Sequence, residues 1–106
     1  MYLYILQLFN VDYREDILLA MTSAGIKQAT VVEGTNLDKI VAQEFPLFTG
    51  LFHSPADRER FSNLIFGMID SEQEIDSLVE VLRQAGIDNR KEEIYRVVLL
   101  EGQRKA

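Results

Sequence analysis

The chain repeats one pattern twice, and this repetition limits its fold more than any other feature. Residues 1–9 and 61–69 are both apolar, β-branched and aromatic runs, too short for a good helix and typical of buried strands. After each run comes an amphipathic helical pattern, and the two patterns end alike, at Ala24-Gly25-Ile26 and at Ala85-Gly86-Ile87. Glycine directly after a helix is a common end signal because it adopts the left-handed conformation without penalty.

The predicted helices also begin alike, at capping-box sequences. Asp12 is followed three residues later by Glu15, and residues 70–74 contain two overlapping pairs with the same spacing. In a capping box the first side chain accepts from a backbone N–H of the first turn and the fourth residue reaches back. We therefore expect Asp12 to cap the first helix.

Two further strands complete the pattern, over residues 28–33, ended by Gly34, and over residues 93–100. Each half is then a strand–helix–strand unit, and each unit requires a crossover. Two interleaved units give an α+β, ferredoxin-like βαββαβ fold, a four-stranded antiparallel sheet with two helices on one face. An open parallel α/β sheet is the alternative, which four short strands support less well. Gly67, inside a predicted strand, indicates a bulge or a close backbone approach.

Length and composition indicate a single domain over residues 1–106 and exclude several kinds of site. The 17 acidic and 11 basic residues give a net charge of −6, which disfavours nucleic-acid binding. Without cysteine there are no disulfides, thiolate metal sites or cysteine nucleophiles. No apolar run approaches the roughly 20 residues of a membrane span, and the apolar start lacks the features of a signal peptide. We expect a soluble, cytoplasmic protein.

A long connecting segment, residues 34–60, separates the two halves. Loops beyond about 15 residues without structure of their own are uncommon and are usually functional or disordered. The middle of this segment, residues 45–52, contains three Phe and two Leu. Because exposing such side chains to water is unfavourable, we predict that residues 45–52 pack against this chain or a neighbouring subunit.

Candidates for catalysis are few. His53 is the one side chain that ordinarily titrates near neutral pH, but no nucleophile motif accompanies it, so an exposed or interfacial loop histidine is the favoured interpretation. The acidic residues between Asp70 and Glu93 follow helical spacing and lack a Ca²⁺-loop pattern, which favours a solvated face. The sequence therefore predicts a protein that is not an enzyme and holds no metal.

Two features are compatible with anion binding. Gly34 follows a predicted strand, where a backbone can approach a phosphate, and Asn89-Arg90-Lys91 forms a basic turn before the last strand. Simple strand termination and a solubilising turn explain these features equally well or better, so both interpretations stay open at this point.

The arrangement resembles the PII-like nitrogen-regulatory signalling proteins over roughly residues 1–100. The strand, the helix, Ala24-Gly25-Ile26 and residues 28–34 (QATVVEG) are similar to the opening of that family, whose second strand leads into a long loop, the T-loop. Residues 45–51 and 63–70 are similar to a small PII-like subgroup of unassigned role.

The resemblance implies a homotrimer with small-molecule sites in the clefts between subunits, where family members bind adenine nucleotides. It places those sites at the base of the long loop, at the turn before the last strand and at basic residues after it. The turn here keeps Gly86 and Lys91 but lacks the further glycines that wrap phosphates. We therefore expect ATP to bind weakly or not at all, with any ligand smaller or less charged. The predicted ligand-binding residues are Gly34, Thr35, Asn36, Lys39, Arg90 and Lys91.

The sequence thus predicts a homotrimeric, non-enzymatic regulator that contacts a protein partner through residues 34–60. A small enzyme or metal-handling protein on the same fold and a purely structural oligomer are the alternatives. Because a sheet with helices on one face leaves the other needing cover, a neighbouring subunit is expected against that face. The residues predicted to face it are Tyr2, Tyr4, Gln7 and Tyr95.

Overall fold

The computed structural model describes residues 1–37 and 61–106. Lys39, residues 45–52 and His53 lie outside the described residues. The elements, in chain order, are β1 (Tyr2–Leu8), a 3₁₀ turn (Val11–Tyr13), α1 (Arg14–Ser23), β2 (Thr30–Thr35), β3 (Phe61–Ile69), α2 (Gln73–Gln84) and β4 (Tyr95–Glu101). Neither helix in the described ranges has the length and apolar character needed to cross a membrane.

The four strands form one sheet in the order β2-β3-β1-β4, and every neighbouring pair is antiparallel. Strand β3 therefore lies between the two strands of the first strand–helix–strand unit, and β1 lies between the two strands of the second. This interleaving is the ferredoxin-like arrangement. The predicted α+β fold is confirmed, and the alternative of a parallel sheet is wrong.

The core lies between one face of the sheet and the two helices. Alternate residues of β1 are fully buried, which places them toward the helices, and α1 contacts α2 over the same face. Burying a large apolar side chain contributes about 1.5–3 kcal/mol, so this layer supplies most of the stabilisation. Its fully buried members are Tyr4, Leu6, Leu8, Ile17, Ile65, Leu78 and Leu82.

Both helices end in the same way, as the repeated Ala-Gly-Ile predicts. Gly25 and Gly86 adopt φ values of +84° and +80°, the left-handed conformation that glycine tolerates best. The next residue then bonds back across the last turn: Ile26 N–H donates to the Met21 carbonyl at 3.0 Å, and Ile87 repeats this bond at the end of α2. Both isoleucines are buried, which completes the hydrophobic contact typical of this helix end.

The start of the first helix differs from the prediction. Asn10, rather than Asp12, supplies the cap: its Oδ1 accepts from the Asp12 N–H at 3.1 Å and opens the 3₁₀ turn that precedes α1. The backbone N–H groups of Phe9 and Asn10 both donate to the Ile94 carbonyl, at 2.8 and 3.3 Å. These bonds fix Asn10 in a buried corner, and the turn begins two residues earlier than the local sequence suggests.

At α2, Ser71 Oγ accepts from the Gln73 N–H at 3.2 Å.

Gly67 is a point of close backbone approach and not a bulge. It pairs directly with Tyr4 in an uninterrupted register. A Cβ atom built on Gly67 would lie well inside 3.0 Å of the Gln28 carbonyl oxygen, closer than real Cβ atoms come to other atoms. The same carbonyl accepts a hydrogen bond of 2.6 Å from the Tyr4 hydroxyl. The chain entering β2 thus crosses directly over Gly67 and is held there by Tyr4.

The bounds of two strands also differ from the prediction. Gly34 does not end β2 but pairs with Ser62 inside it, because the ladder to β3 continues to Thr35. Strand β4 begins at Tyr95, two residues later than predicted. The Asn89 side chain hydrogen-bonds to the backbone around the start of β4. Its Oδ1 accepts from the Ile94 and Tyr95 N–H groups at 2.9 and 3.3 Å, and its Nδ2 donates to the Tyr95 carbonyl at 2.8 Å.

The second face of the sheet has no helix against it in the described part of the chain, and we call it the open face. The strand registers place thirteen residues on it. Eight are apolar, one is a cation and none is acidic, although the chain carries 17 acids. The eight apolar residues are Leu3, Ile5, Val32, Leu64, Phe66, Met68, Val98 and Leu100.

None of the three tyrosines predicted to face a neighbouring subunit lies on the open face. Tyr4 and Tyr95 are buried on the helix face, and burial raises the pKa of both phenols. Tyr2 pairs with Ile69 and Glu101 and shares their face. Gln7 does lie on the open face, between Leu64 and Arg96. The prediction is wrong for the three tyrosines because the alternation of β1 turns Tyr2 and Tyr4 toward the helices, and Tyr95 pairs with Leu8 on that same face.

Candidate functional site

The predicted site residues that are described lie at one end of the sheet. Gly34 and Thr35 are the last two residues of β2, and Asn36 follows them directly. A Cβ atom on Gly34 would meet the nearest atoms of Ser62 at 3.6 Å, an ordinary contact. The strand itself therefore does not require glycine at this position.

Arg90 does not carry an uncompensated charge. Its Nε and Nη2 lie 2.9 and 2.7 Å from Asp88 Oδ2, and its backbone N–H donates to Asp88 Oδ1 at 3.1 Å. These hydrogen bonds lower the pKa of the Asp88 carboxyl and raise the pKa of the Arg90 guanidinium. The turn before β4 thus contains its own ion pair, which reduces what Arg90 can offer to an anionic ligand.

The larger of two cavities at this end lies over the turn that joins α2 to β4, and it measures about 560 Å³. Two basic residues of the predicted site, Arg90 and Lys91, line it together with two acids, so its lining charges balance. Lys91 is exposed, and no ion pair is found for it within residues 1–37 and 61–106. The lining residues are Tyr13, Gly86, Asp88, Arg90, Lys91, Glu92 and Ile94.

The smaller cavity, about 350 Å³, contains Asn36. Its other lining residues are Phe9, Asn10, Glu92 and Glu93. Residues at the end of β2 and in the turn before β4 thus line one cavity within a single subunit. The residues of the turn that line it are Glu92 and Glu93, and not Arg90 and Lys91. The convergence of the predicted residues between subunits stays a prediction. Glu92 lines both cavities, which makes them neighbours.

Hydrogen bonds and an ion pair position this lining. The Asn10 side chain is 4% exposed, and its Nδ2 lies 3.4 and 3.5 Å from the two Glu92 carboxylate oxygens. Glu93 Oε1 accepts from Arg96 at 3.0 and 2.9 Å, and the Arg96 guanidinium lies 5.4 Å from the centroid of the Phe9 ring, within range of a cation–π contact.

The residues that sequence reasoning missed here are Phe9, Asn10, Glu92 and Glu93. One signal was available for Asn10, which directly follows an apolar run and is a favoured helix cap. Nothing in the local sequence indicates that β1 and the last turn converge, because the contact joins residues more than eighty positions apart.

A second buried polar residue lies on the helix face of the sheet. Asn63 is 4% exposed and stands opposite Leu8 and Glu33. Its Oδ1 is buried and has no hydrogen-bond partner among residues 1–37 and 61–106. A buried polar atom left in this state costs about 1–3 kcal/mol.

Replacing Asn63 with leucine, which has the same branched shape but no polar atoms, should therefore stabilise the protein. We expect Asn63→Leu to raise the free energy of unfolding by about 1 kcal/mol or more, measured by urea denaturation. Asn63→Ala is the control, since it removes the same polar atoms but leaves a cavity. Stability reduced in Asn63→Leu would show that the amide has a function in folding that this geometry does not reveal.

Within residues 1–37 and 61–106, no three His, Asp or Glu side chains come together as metal ligands would. Comparison of the chain with models of known families and with curated proteins finds no match. The relation to PII-like proteins stays a prediction. It rests on the similarity of short stretches of sequence and on a fold that is compatible with that family.

Proposed function

We propose that this chain is a PII-like, non-enzymatic regulatory protein that works as a homotrimer. A small molecule binds at the end of β2 and the turn before β4, changes the conformation of residues 34–60 and so alters contact with a protein partner. The observation that carries the proposal is that Asn36, the first residue after β2, lines one cavity with Glu92 and Glu93 of that turn. A ligand at the turn therefore lies against the base of the segment, which is what a ligand-controlled switch requires.

The open face supports the assembly part of the proposal, association with further copies of the chain. Monomeric proteins rarely expose contiguous apolar patches larger than a few hundred Å². Here, five of the eight apolar residues on the open face are exposed in the single chain, namely Val32, Leu64, Met68, Val98 and Leu100. Without carboxylates of its own, this face is the part of an acidic chain on which identical copies repel one another least.

A thermal-shift screen over nucleotides, metabolites and small anions tests the ligand part of the proposal. A ligand that binds only the folded protein raises its melting temperature by mass action. The paired substitution Arg90→Ala plus Lys91→Ala should remove that increase. A protein whose melting temperature no compound changes would favour the structural oligomer instead.

ATP should bind weakly. A triphosphate carries about four negative charges and is normally held by several backbone N–H groups and multiple cations, whereas Arg90 is paired with Asp88 and Glu92 and Glu93 line the adjoining cavity. We expect calorimetry with Mg²⁺-ATP to give a dissociation constant no tighter than about 1 mM, roughly −4 kcal/mol. A micromolar constant abolished by Arg90→Ala plus Lys91→Ala would contradict this expectation.

A further inference from the structure

The two cavities at the end of the sheet place opposite charges side by side. Lys91 lines the larger cavity, and Glu92, the next residue, lines both. The other charged residues that line the two cavities form ion pairs. Arg90 is paired with Asp88, and Glu93 is paired with Arg96.

Two charges of the lining are therefore available to a ligand. Glu92 contacts Asn10, a neutral amide, at 3.4–3.5 Å, so its negative charge is hydrogen-bonded but not neutralised. Lys91 is exposed and has no ion-pair partner in the described parts of the chain. One cation and one carboxylate are left on adjacent residues, and both line the larger cavity.

We infer that the ligand of this site is a small zwitterion, an α-amino acid, whose ammonium group binds Glu92 and whose carboxylate binds Lys91. Each contact is a charge-assisted hydrogen bond, roughly twice as strong as a neutral one. Tyr13, Ile94 and Phe9 supply apolar walls for the side chain. Cavities of about 560 and 350 Å³ are in the range of small-molecule sites. The inference rests on the proposed function and names the class of its effector.

The charge pattern separates this ligand class from the other candidates. A polyphosphate would place several negative charges near Glu92 and Glu93, and like charges at close range are unfavourable. A simple amine would leave Lys91 without a partner, and a simple carboxylate would leave Glu92 without one. Only a ligand that carries both charges uses both residues.

The test is ligand-observed NMR with each of the common amino acids, followed by calorimetry on those that bind. For a bound amino acid, the matching amine without the carboxylate and the matching acid without the ammonium should each bind about tenfold or more weakly. Lys91→Gln and Glu92→Gln should each cause a similar loss. Lys27→Gln and Glu101→Gln, the same changes at exposed positions outside both cavities, should leave affinity unchanged.

Two results would overturn the inference: none of the amino acids binds, or binding is the same in Lys91→Gln and Glu92→Gln as in the unaltered protein. Light scattering on the same samples separates this failure from that of the proposed function. A trimer that binds no amino acid leaves the proposed function standing and removes only the inference. A monomer removes the proposed function itself.

Discussion

Gly67→Ala should lower the free energy of unfolding by about 3 kcal/mol or more. Overpacking of a well-packed position costs roughly 1–3 kcal/mol, and the cost is higher where the added atom clashes with the backbone. The added Cβ would meet the Gln28 carbonyl, a backbone group that cannot turn aside, and the Tyr4 hydroxyl. Moving the carbonyl would also break its 2.6 Å hydrogen bond from Tyr4. Since domains are stable by only about 5–15 kcal/mol, urea denaturation should show a much lower midpoint, or no folded protein.

Gly34→Ala is the matched control. It is the same substitution in the same sheet, but the new Cβ lies at an ordinary 3.6 Å from its nearest neighbours. We expect its midpoint to change little, or to rise, because alanine loses less conformational entropy on folding than glycine. Equal midpoints for the two variants would contradict the close approach at Gly67.

The second large effect is expected on assembly. Leu64 is an exposed residue of the open face on a central strand, between Val32 and Gln7. If that face joins the subunits, Leu64→Asp buries a carboxylate without a partner in each contact, a cost of several kcal/mol. Light scattering should then give one-third of the mass of the unaltered protein.

Leu19→Asp provides the comparison. Leu19 is another exposed leucine, 62% exposed on α1 and away from the open face, so its replacement introduces the same charge without touching the proposed interface. We expect Leu19→Asp to keep the mass of the unaltered protein. If both variants dissociate, or neither does, the open face is not the surface that holds the subunits together.

The fold could be predicted from the sequence because its two halves carry the same local signals. The signals agree with one another at Gly25 and Gly86, where the helix ends depend on a glycine and the isoleucine after it. The local signals do not predict the start of the first helix. The capping box at Asp12 does not supply the cap, because the bonds from Phe9 and Asn10 to the Ile94 carbonyl fix the turn earlier in the chain. Tertiary contacts therefore determine where the first helix begins, and no local sequence pattern indicates those contacts.

Which face of β1 enters the core could not be predicted for a different reason. Both faces are apolar, Leu3 and Ile5 on one and Leu6 and Leu8 on the other. Alternation of polar and apolar residues normally identifies the buried face, and β1 lacks it. This is why Tyr4 was expected at a subunit contact and is instead fully buried.

The charge of the candidate site could not be predicted from the sequence. Asn36, directly after β2, and the turn before β4 line one cavity within a subunit, whereas the resemblance implies a site between subunits. The pairing of Arg90 with Asp88 is local, since the two residues are two positions apart, whereas the approach of Asn10 to Glu92 depends on the fold. The resulting cavity is more acidic than the sequence suggests.

The mass of the unaltered protein tests the central proposal, a homotrimeric regulator, most directly. One chain is 12.2 kDa. Light scattering at micromolar concentration should give three times that mass, and the value should hold on dilution through that range, since an interface of this apolar character favours stable association. A mass of one chain at micromolar concentration would contradict the proposal, because the open face would then be exposed in the working protein and the clefts between subunits would not exist.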